Sequence, residues 1–213
     1  MGKYRCANSV EEIKTYIGNS RVVAFDFETA PDEQHRGEDK AALDPAKAHI
    51  VGCSFSVRKG TCIYVPIKHL MGKNVDEEEF FAFLRDFLSD KNIIKVAHNL
   101  AFESAMAYTR LGVIIQAPVY DTICAAQLVN NGDVKFRSLK DSGLKQLTSE
   151  QFGEDLLRLK KLRKAHTLTN SMPMMRRQCV TARRTQILRC AYIIDLTSGL
   201  IPISLSTGIL LRK

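Results

Sequence analysis

The stretch Arg21-Val-Val-Ala-Phe-Asp-Phe-Glu-Thr-Ala30 decides the fold, because it is an apolar, β-type run that carries two acids. Side chains two positions apart on a strand point to the same side, so Asp26 and Glu28 share one face. A strand rich in Val and Phe should be buried, and burying a carboxylate costs free energy unless a positively charged group compensates its charge. Divalent cations such as Mg²⁺ take oxygen ligands of this kind. The alternative is a strand end whose acids face water, and this run alone does not separate the two.

Working outward, the pattern predicts an α/β fold in which three strands come first and helices then alternate with strands. A surface loop is expected at Pro31–Lys47, between the first two strands, and a Lys59-Gly60 turn between the last two. The predicted strands are residues 21–28, 49–57, 61–67 and 93–97.

Helices are predicted where acids or capping residues precede apolar stripes. One helix begins near Val75 and buries Phe80, Phe83, Leu84, Phe87 and Leu88, a stripe expected to be core. The others are a helix capped by Asn99 and ended by Gly112, one that begins at Asp121-Thr122 and runs through Leu128, and one over residues 139–147.

Six blocks in this order resemble the 3′–5′ proofreading exonuclease domain of family A DNA polymerases, in the DEDD superfamily. The first is Phe25-Asp-Phe-Glu-Thr29, and the resemblance covers roughly residues 20 to 155. The others are His49-Ile-Val-Gly-Cys-Ser-Phe-Ser-Val57, Cys62-Ile-Tyr-Val-Pro-Ile-Lys-His69, Val96-Ala-His-Asn-Leu-Ala-Phe-Glu103, Tyr120-Asp-Thr-Ile-Cys-Ala-Ala-Gln-Leu128 and Ser138-Leu-Lys-Asp-Ser-Gly-Leu144.

The resemblance implies a ribonuclease H-like mixed sheet flanked by helices, incomplete at its C-terminal end. It divides the chain into an exonuclease-like domain, residues 1–155, and a basic tail, residues 156–213, expected to be poorly ordered. The implied substrate is the 3′ end of single-stranded DNA, and the implied partner is a polymerase domain in the intact parent protein. We expect cytoplasmic location, because no apolar run is long enough to span a bilayer and no leader precedes the domain.

The implied reaction is two-metal hydrolysis, in which ions about 3.5–4 Å apart serve both the attacking and the leaving oxygen. Asp26 and Glu28 would supply the first carboxylates to Mg²⁺ or Mn²⁺. Glu103 would supply the next, although the family usually has Asp there; an exposed helix acid is the alternative. By the same resemblance Thr29, His98, Asn99 and Phe102 would line the path of the terminal nucleotide, with plain core packing equally open for Phe102. Asp121 is expected to cap a helix near the site.

Composition adds two constraints. The six cysteines have no CxxC spacing and are interpreted as reduced core residues. The net charge of +8 comes from 31 basic and 23 acidic residues, but 12 of the bases and one acid, Asp195, follow Asp155. That leaves 19 bases against 22 acids in the first 155 residues, so the basic character belongs to the tail alone.

The tail also lacks the family's third motif, Tyr-x-x-x-Asp, since Tyr192-Ile-Ile-Asp195 has the wrong spacing. We hypothesise that the tail is translated out of frame. Met174-Met175 is ATG-ATG, which forces an overlapping Asp codon, and Met172-Pro173 forces an Ala codon. With permitted third bases, the neighbouring frame gives Tyr-x-x-x-Asp where the family places it. One nucleotide lost near the Leu156-Leu157 codons would account for this.

Three functions follow from these observations. The first is a polymerase-type exonuclease, impaired here because the third motif and its water-orienting Tyr are missing. The second is an inactive remnant that binds single strands. The third is an adaptor whose basic tail binds DNA or a partner. Metal-dependent cleavage lost in Asp26→Ala separates the first from the others, and deletion of residues 156–213 separates the second from the third.

Overall fold

The structure, a computed structural model, describes residues 3–58, 60–69 and 72–129. The predicted helix over 139–147, the whole tail and its predicted disorder therefore lie outside the described residues. Six strands and four helices are described: β1 Lys3–Cys6, α1 Val10–Ile17, β2 Val22–Pro31, β3 Ala48–Ser56, β4 Thr61–Pro66, α2 Glu77–Ser89, β5 Ile94–Ala97, α3 Leu100–Met106, β6 Val119–Asp121 and α4 Thr122–Val129.

The strands form one mixed sheet in the order β1-β4-β3-β2-β5-β6. The three predicted strands β2, β3 and β4 pair antiparallel, while β5 and β6 continue the sheet in parallel beyond β2. The α/β prediction is confirmed. β2 lies inside the sheet, and its residues 23–27 are all buried.

Two helices build the core against one face of the sheet. Ser9 caps α1 by accepting from the N–H of Glu12, and Asp76 caps α2 by accepting from that of Glu79. The aromatic stripe of α2 packs as predicted, with the Phe55 ring edge-on to Phe87 at 5.4 Å between centroids. The apolar cluster includes Val10, Ile13, Ile17, Phe25, Phe27, Phe80, Leu84, Phe87 and Leu88, and Phe83 packs against it.

Several elements were not predicted from the sequence. These are β1, α1, β6 and two 3₁₀ turns, Glu33–His35 and Ala41–Leu43, within the predicted loop. The helix predicted to end at Gly112 does so, with φ +66° there, but its last part, Ala107–Leu111, is a π turn. None of the helices in the described part of the chain is long and apolar enough to cross a bilayer.

The cysteine prediction holds only in part. No disulfide joins the four cysteines that the structure describes, and Cys53 and Cys62 are buried. The interpretation as a core residue is wrong for Cys124, which is exposed because it lies on the outer side of α4. Cys179 and Cys190 lie outside the described residues.

Candidate active site

Asp26 and Glu28 lie on the same face of β2, opposite the apolar cluster. In the pairing with β3, Asp26 stands opposite Ser54 and Glu28 opposite Gly52, and a register shift follows directly after Glu28. Asp26 is only 8% exposed, whereas Glu28 is half-buried. The expectation that an acid is carried into the protein is therefore met by Asp26.

Glu103 approaches β2 from the side where its pairing with β5 ends. That pairing covers Val22 to Ala24 only, so the following residues of β2 extend past the end of β5. The Glu103 side chain, 2% exposed, reaches this stretch, and its Oε2 accepts a hydrogen bond from the Phe27 N–H at 3.2 Å. The carboxylate of α3 thus lies beside the peptide that joins Asp26 to Phe27. The alternative of an exposed helix acid is excluded for Glu103.

The pKa of a buried thiol on β3 responds to both enclosed acids. The pKa of the buried Cys53 thiol is raised well above its ordinary value, first by burial and then by the negative charges of Glu103 and Asp26. Both acids therefore act on a thiol that belongs to the apolar cluster.

The start of α3 is held by an acid from a neighbouring strand. Asp121 accepts hydrogen bonds from the N–H groups of Asn99 at 3.1 Å, Leu100 at 2.9 Å and Ile123 at 2.9 Å. The predicted capping role of Asp121 is confirmed, and it serves both α3 and α4. Asn99 stands at the predicted cap position of α3, but it lies in the left-handed region, φ +73°, and its side chain makes no cap hydrogen bond.

The four residues predicted to line the nucleotide path lie around the ends of β2 and β5. Thr29 follows Glu28 and donates its hydroxyl proton to the Ala42 carbonyl at 2.6 Å. His98 is half-buried, with Nδ1 2.8 Å from the Thr122 hydroxyl. Asn99 is exposed, and the half-buried Phe102 packs against the apolar cluster. Asn99 therefore offers the most accessible of these side chains.

The oxygen donors of this region suit a hard divalent cation, because carboxylates are the ligands that Mg²⁺ takes. Asp26 and Glu103 are also buried, and a bound cation would compensate the charge of their carboxylates. Within residues 3–58, 60–69 and 72–129, however, no three His, Cys, Asp or Glu side chains are arranged to hold a metal ion. The described residues therefore offer carboxylates of the right chemical type for such a cation but do not form a ligand set.

Two features near the site were not predicted. The first is a clamp in which Arg110, on the π turn, donates to Asp32 at 2.9 Å and to the Pro45 carbonyl at 2.9 Å, while His49 Nδ1 lies 2.9 Å from Asp32. Burial pushes the pKa of Asp32 up, but His49 and Arg110 outweigh it and leave that pKa below its usual value. The clamp fixes the segment after β2 against α3.

The second is a part-buried hydrogen bond between the Tyr64 hydroxyl and His69 Nε2, at 2.7 Å. A glycine inside an apolar strand often marks the close approach of another group. The Tyr64 hydroxyl approaches Gly52 on β3, so Gly52 was the signal in the sequence that could have revealed the position of this phenol.

Comparison with known proteins decides the family. A family model described as 3′-5′ exonuclease, of the family A DNA polymerase type, matches residues 3–179. The chain belongs to this exonuclease family. DNA polymerase I of Pseudomonas aeruginosa is 24% identical over 156 residues, which cover 63% of the chain and 16% of that polymerase. DNA polymerase I of Chloroflexus aurantiacus is 24% identical over 143 residues, which cover 67% of the chain and 14% of that polymerase. The chain thus spans about a sixth of the length of these relatives.

Solved structures support the fold. Trypanosoma brucei RNase D, in a complex with GMP, matches with a TM-score of 0.61 at 17% identity, over 95% of this chain and 58% of that one. Escherichia coli RNase D, described as an exoribonuclease involved in structured RNA processing, matches with a TM-score of 0.57 at 14% identity, over 93% of this chain and 44% of that one. This chain of the exonuclease family therefore has the ribonuclease H-like fold of these nucleases.

Proposed function

We propose that this chain derives from a proofreading exonuclease that removes the 3′-terminal nucleotide of single-stranded DNA by two-metal hydrolysis. The observation that carries the proposal is the hydrogen bond from the Phe27 N–H to Glu103. It brings an acid from α3 beside the strand residues that carry Asp26 and Glu28, and these are the acids that the family motifs assign to metal binding.

Asp26, Glu28 and Glu103 would hold Mg²⁺ or Mn²⁺. When bound, a pair of such ions supplies an activated water and a stabilised leaving oxygen at the phosphodiester. Asp26 and Glu103 are enclosed, so their carboxylates are sheltered from bulk water and keep fixed positions. Glu28 is half-buried, so its side chain keeps some access to solvent. The fourth ligand of the family belongs to its third motif, which this sequence lacks.

The terminal nucleotide is proposed to lie across the beginning of α3. Asp121 holds the backbone of Asn99 and Leu100, and so fixes the exposed Asn99 side chain where it can bind the substrate. Thr29 lies on β2, His98 directly follows β5, and Phe102 belongs to the first turn of α3. These four residues would orient the scissile phosphate relative to the acids.

We favour DNA over RNA as the substrate because the matched relatives are DNA polymerases I. The same relatives motivate the proposal that the parent protein carries a polymerase domain. The RNase D structures share the fold at 14–17% identity, so an RNA oligonucleotide of the same sequence belongs in every assay as a comparison.

We further propose that the chain is impaired as written. It lacks Tyr-x-x-x-Asp, and with it one metal ligand and the Tyr that orients the attacking water. Loss of a group that positions or deprotonates the nucleophile costs on the order of 10²–10⁴-fold in rate. A gene with one nucleotide restored near the Leu156-Leu157 codons should encode a chain that regains this rate.

The test compares the chain as written with the frame-restored chain on a 5′-labelled single-stranded DNA in Mn²⁺. We expect stepwise trimming from the 3′ end by the restored chain, its loss in Asp26→Asn, and much slower trimming by the chain as written. Equal rates for the two chains would contradict the impairment. No Asp26-dependent trimming by either chain would contradict the exonuclease proposal.

A further inference from the structure

A buried tyrosine shares the face of the sheet that carries the acids. Ser54 pairs with Asp26 on one side and with Tyr64 of β4 on the other, so these three residues form one row across the sheet. Residues in one row of a sheet point to the same face. Tyr64 is fully buried, and its ring is therefore enclosed beside the acids and not on the side of the apolar cluster.

Gly52 places the Tyr64 hydroxyl next to Glu28. A Cβ on Gly52 would lie 2.0 Å from Tyr64 Oη and 2.6 Å from Cζ, so the phenol occupies the space that a side chain would need. Gly52 is also the residue directly opposite Glu28. Side chains directly opposite each other on an antiparallel pair have Cβ atoms about 4.5–5.5 Å apart. The hydroxyl therefore stands within reach of the Glu28 carboxylate.

His69 holds the hydroxyl in this position. Its Nε2 lies 2.7 Å from Tyr64 Oη, and its own backbone is fixed by Asn74, whose side chain bonds to the His69 N–H at 3.0 Å and to the His69 carbonyl at 2.9 Å. A phenol has one proton to donate. When His69 Nε2 carries hydrogen and donates to Tyr64, the phenol proton is directed to another acceptor, and Glu28 is the carboxylate across from it.

We infer that Tyr64 is a positioning residue for the metal ligand Glu28, with His69 as the donor that turns the phenol proton toward that carboxylate. This inference rests on the proposed metal-binding role of Glu28. Hydrogen bonds from neighbouring groups orient ligand carboxylates, and their loss typically lowers metal affinity by about 10–100-fold.

The experiment is direct Mn²⁺ binding by calorimetry to the full chain, with thermal unfolding of each variant measured alongside. Tyr64→Phe keeps the buried ring and removes only the hydroxyl, so we expect Mn²⁺ affinity to fall by about tenfold or more. His69→Gln keeps a donor to the phenol and should retain affinity, whereas His69→Leu should behave like Tyr64→Phe. If His69 had a purely structural role, the two His69 variants would not differ in Mn²⁺ affinity.

Tyr16→Phe is the matched control, because the hydroxyl of Tyr16, on α1, also makes a part-buried hydrogen bond, 2.9 Å to the hydroxyl of Thr61 at the start of β4. It should leave Mn²⁺ affinity unchanged. Equal Mn²⁺ affinity in Tyr64→Phe and the unaltered chain would overturn the inference, provided that Asp26→Asn abolishes binding. If Asp26→Asn does not affect binding, or the unaltered chain binds no Mn²⁺, the proposed metal-binding role of Asp26, Glu28 and Glu103 fails in this chain and the inference falls with it.

Discussion

Single side chains carry the chemistry of this molecule, and Glu103 shows what a sequence reveals about one of them. The motif context predicted that Glu103 joins Asp26 and Glu28, and the structure buries it beside β2. The hydrogen bond to the Phe27 N–H could not be predicted, because it depends on where β5 stops pairing with β2. The approach of Tyr64 over Gly52 depends likewise on the register of β3 against β4.

Glu103 offers a substitution that separates structure from chemistry. Glu103→Gln keeps an oxygen that accepts from the Phe27 N–H, so the free energy of unfolding should stay at or above that of the unaltered chain, while Mn²⁺ binding is lost with the charge. Glu103→Leu leaves the buried N–H without this acceptor and should cost roughly 1–3 kcal/mol. Urea denaturation and calorimetry measure both effects. Equal stability of the two variants would show that the hydrogen bond contributes nothing.

The positions of whole helices depend partly on short strands that the sequence pattern does not reveal. The long, patterned elements β2, β3, β4 and α2 were predicted with small errors in their ends, because their apolar periodicity is strong. The short strands β1 and β6 have four and three residues, too few for a pattern. β6 matters most for the site, because Asp121 at its end caps α3.

Removal of the Asp121 carboxylate should loosen the beginning of α3. Asp121→Ala leaves three N–H groups without their acceptor, and the loss of a cap costs about 0.5–2 kcal/mol. Amide hydrogen exchange should therefore speed up at Asn99 and Leu100 while α1 is unaffected. Ser9→Ala, which removes the α1 cap, is the matched control and should show the reverse pattern. Unchanged exchange in α3 would contradict the capping role.

The clamp of Arg110, Asp32 and His49 predicts how stability depends on pH. Because the pKa of Asp32 is lower in the folded chain than its ordinary 3.8, the carboxylate stabilises the fold above that pH and stops doing so as the pH falls through the lowered value. The stability difference between the unaltered chain and Asp32→Asn should therefore shrink below about pH 4. Denaturation at a series of pH values measures it, and a difference that persists at the acid end would contradict the account.

The molecule as a whole combines an α/β domain with a basic C-terminal segment of different composition. The family match extends to residue 179, beyond the predicted boundary at 155. The sequence alone predicted the α/β class and the exonuclease family, because several motifs occur in order along one chain. The meaning of the basic segment depends on codons, which no protein sequence contains, so the out-of-frame hypothesis stays a prediction that sequencing of the gene near Leu156-Leu157 resolves.

The account depends above all on Asp26, Glu28 and Glu103 binding divalent ions together. Anomalous diffraction from crystals of the frame-restored chain soaked in Mn²⁺ tests this. We predict anomalous peaks about 2.0–2.2 Å from carboxylate oxygens of all three residues, the distance at which hard divalent ions bind oxygen. Mn²⁺ bound elsewhere, or these three carboxylates turned away from a common point at saturating Mn²⁺, would contradict it.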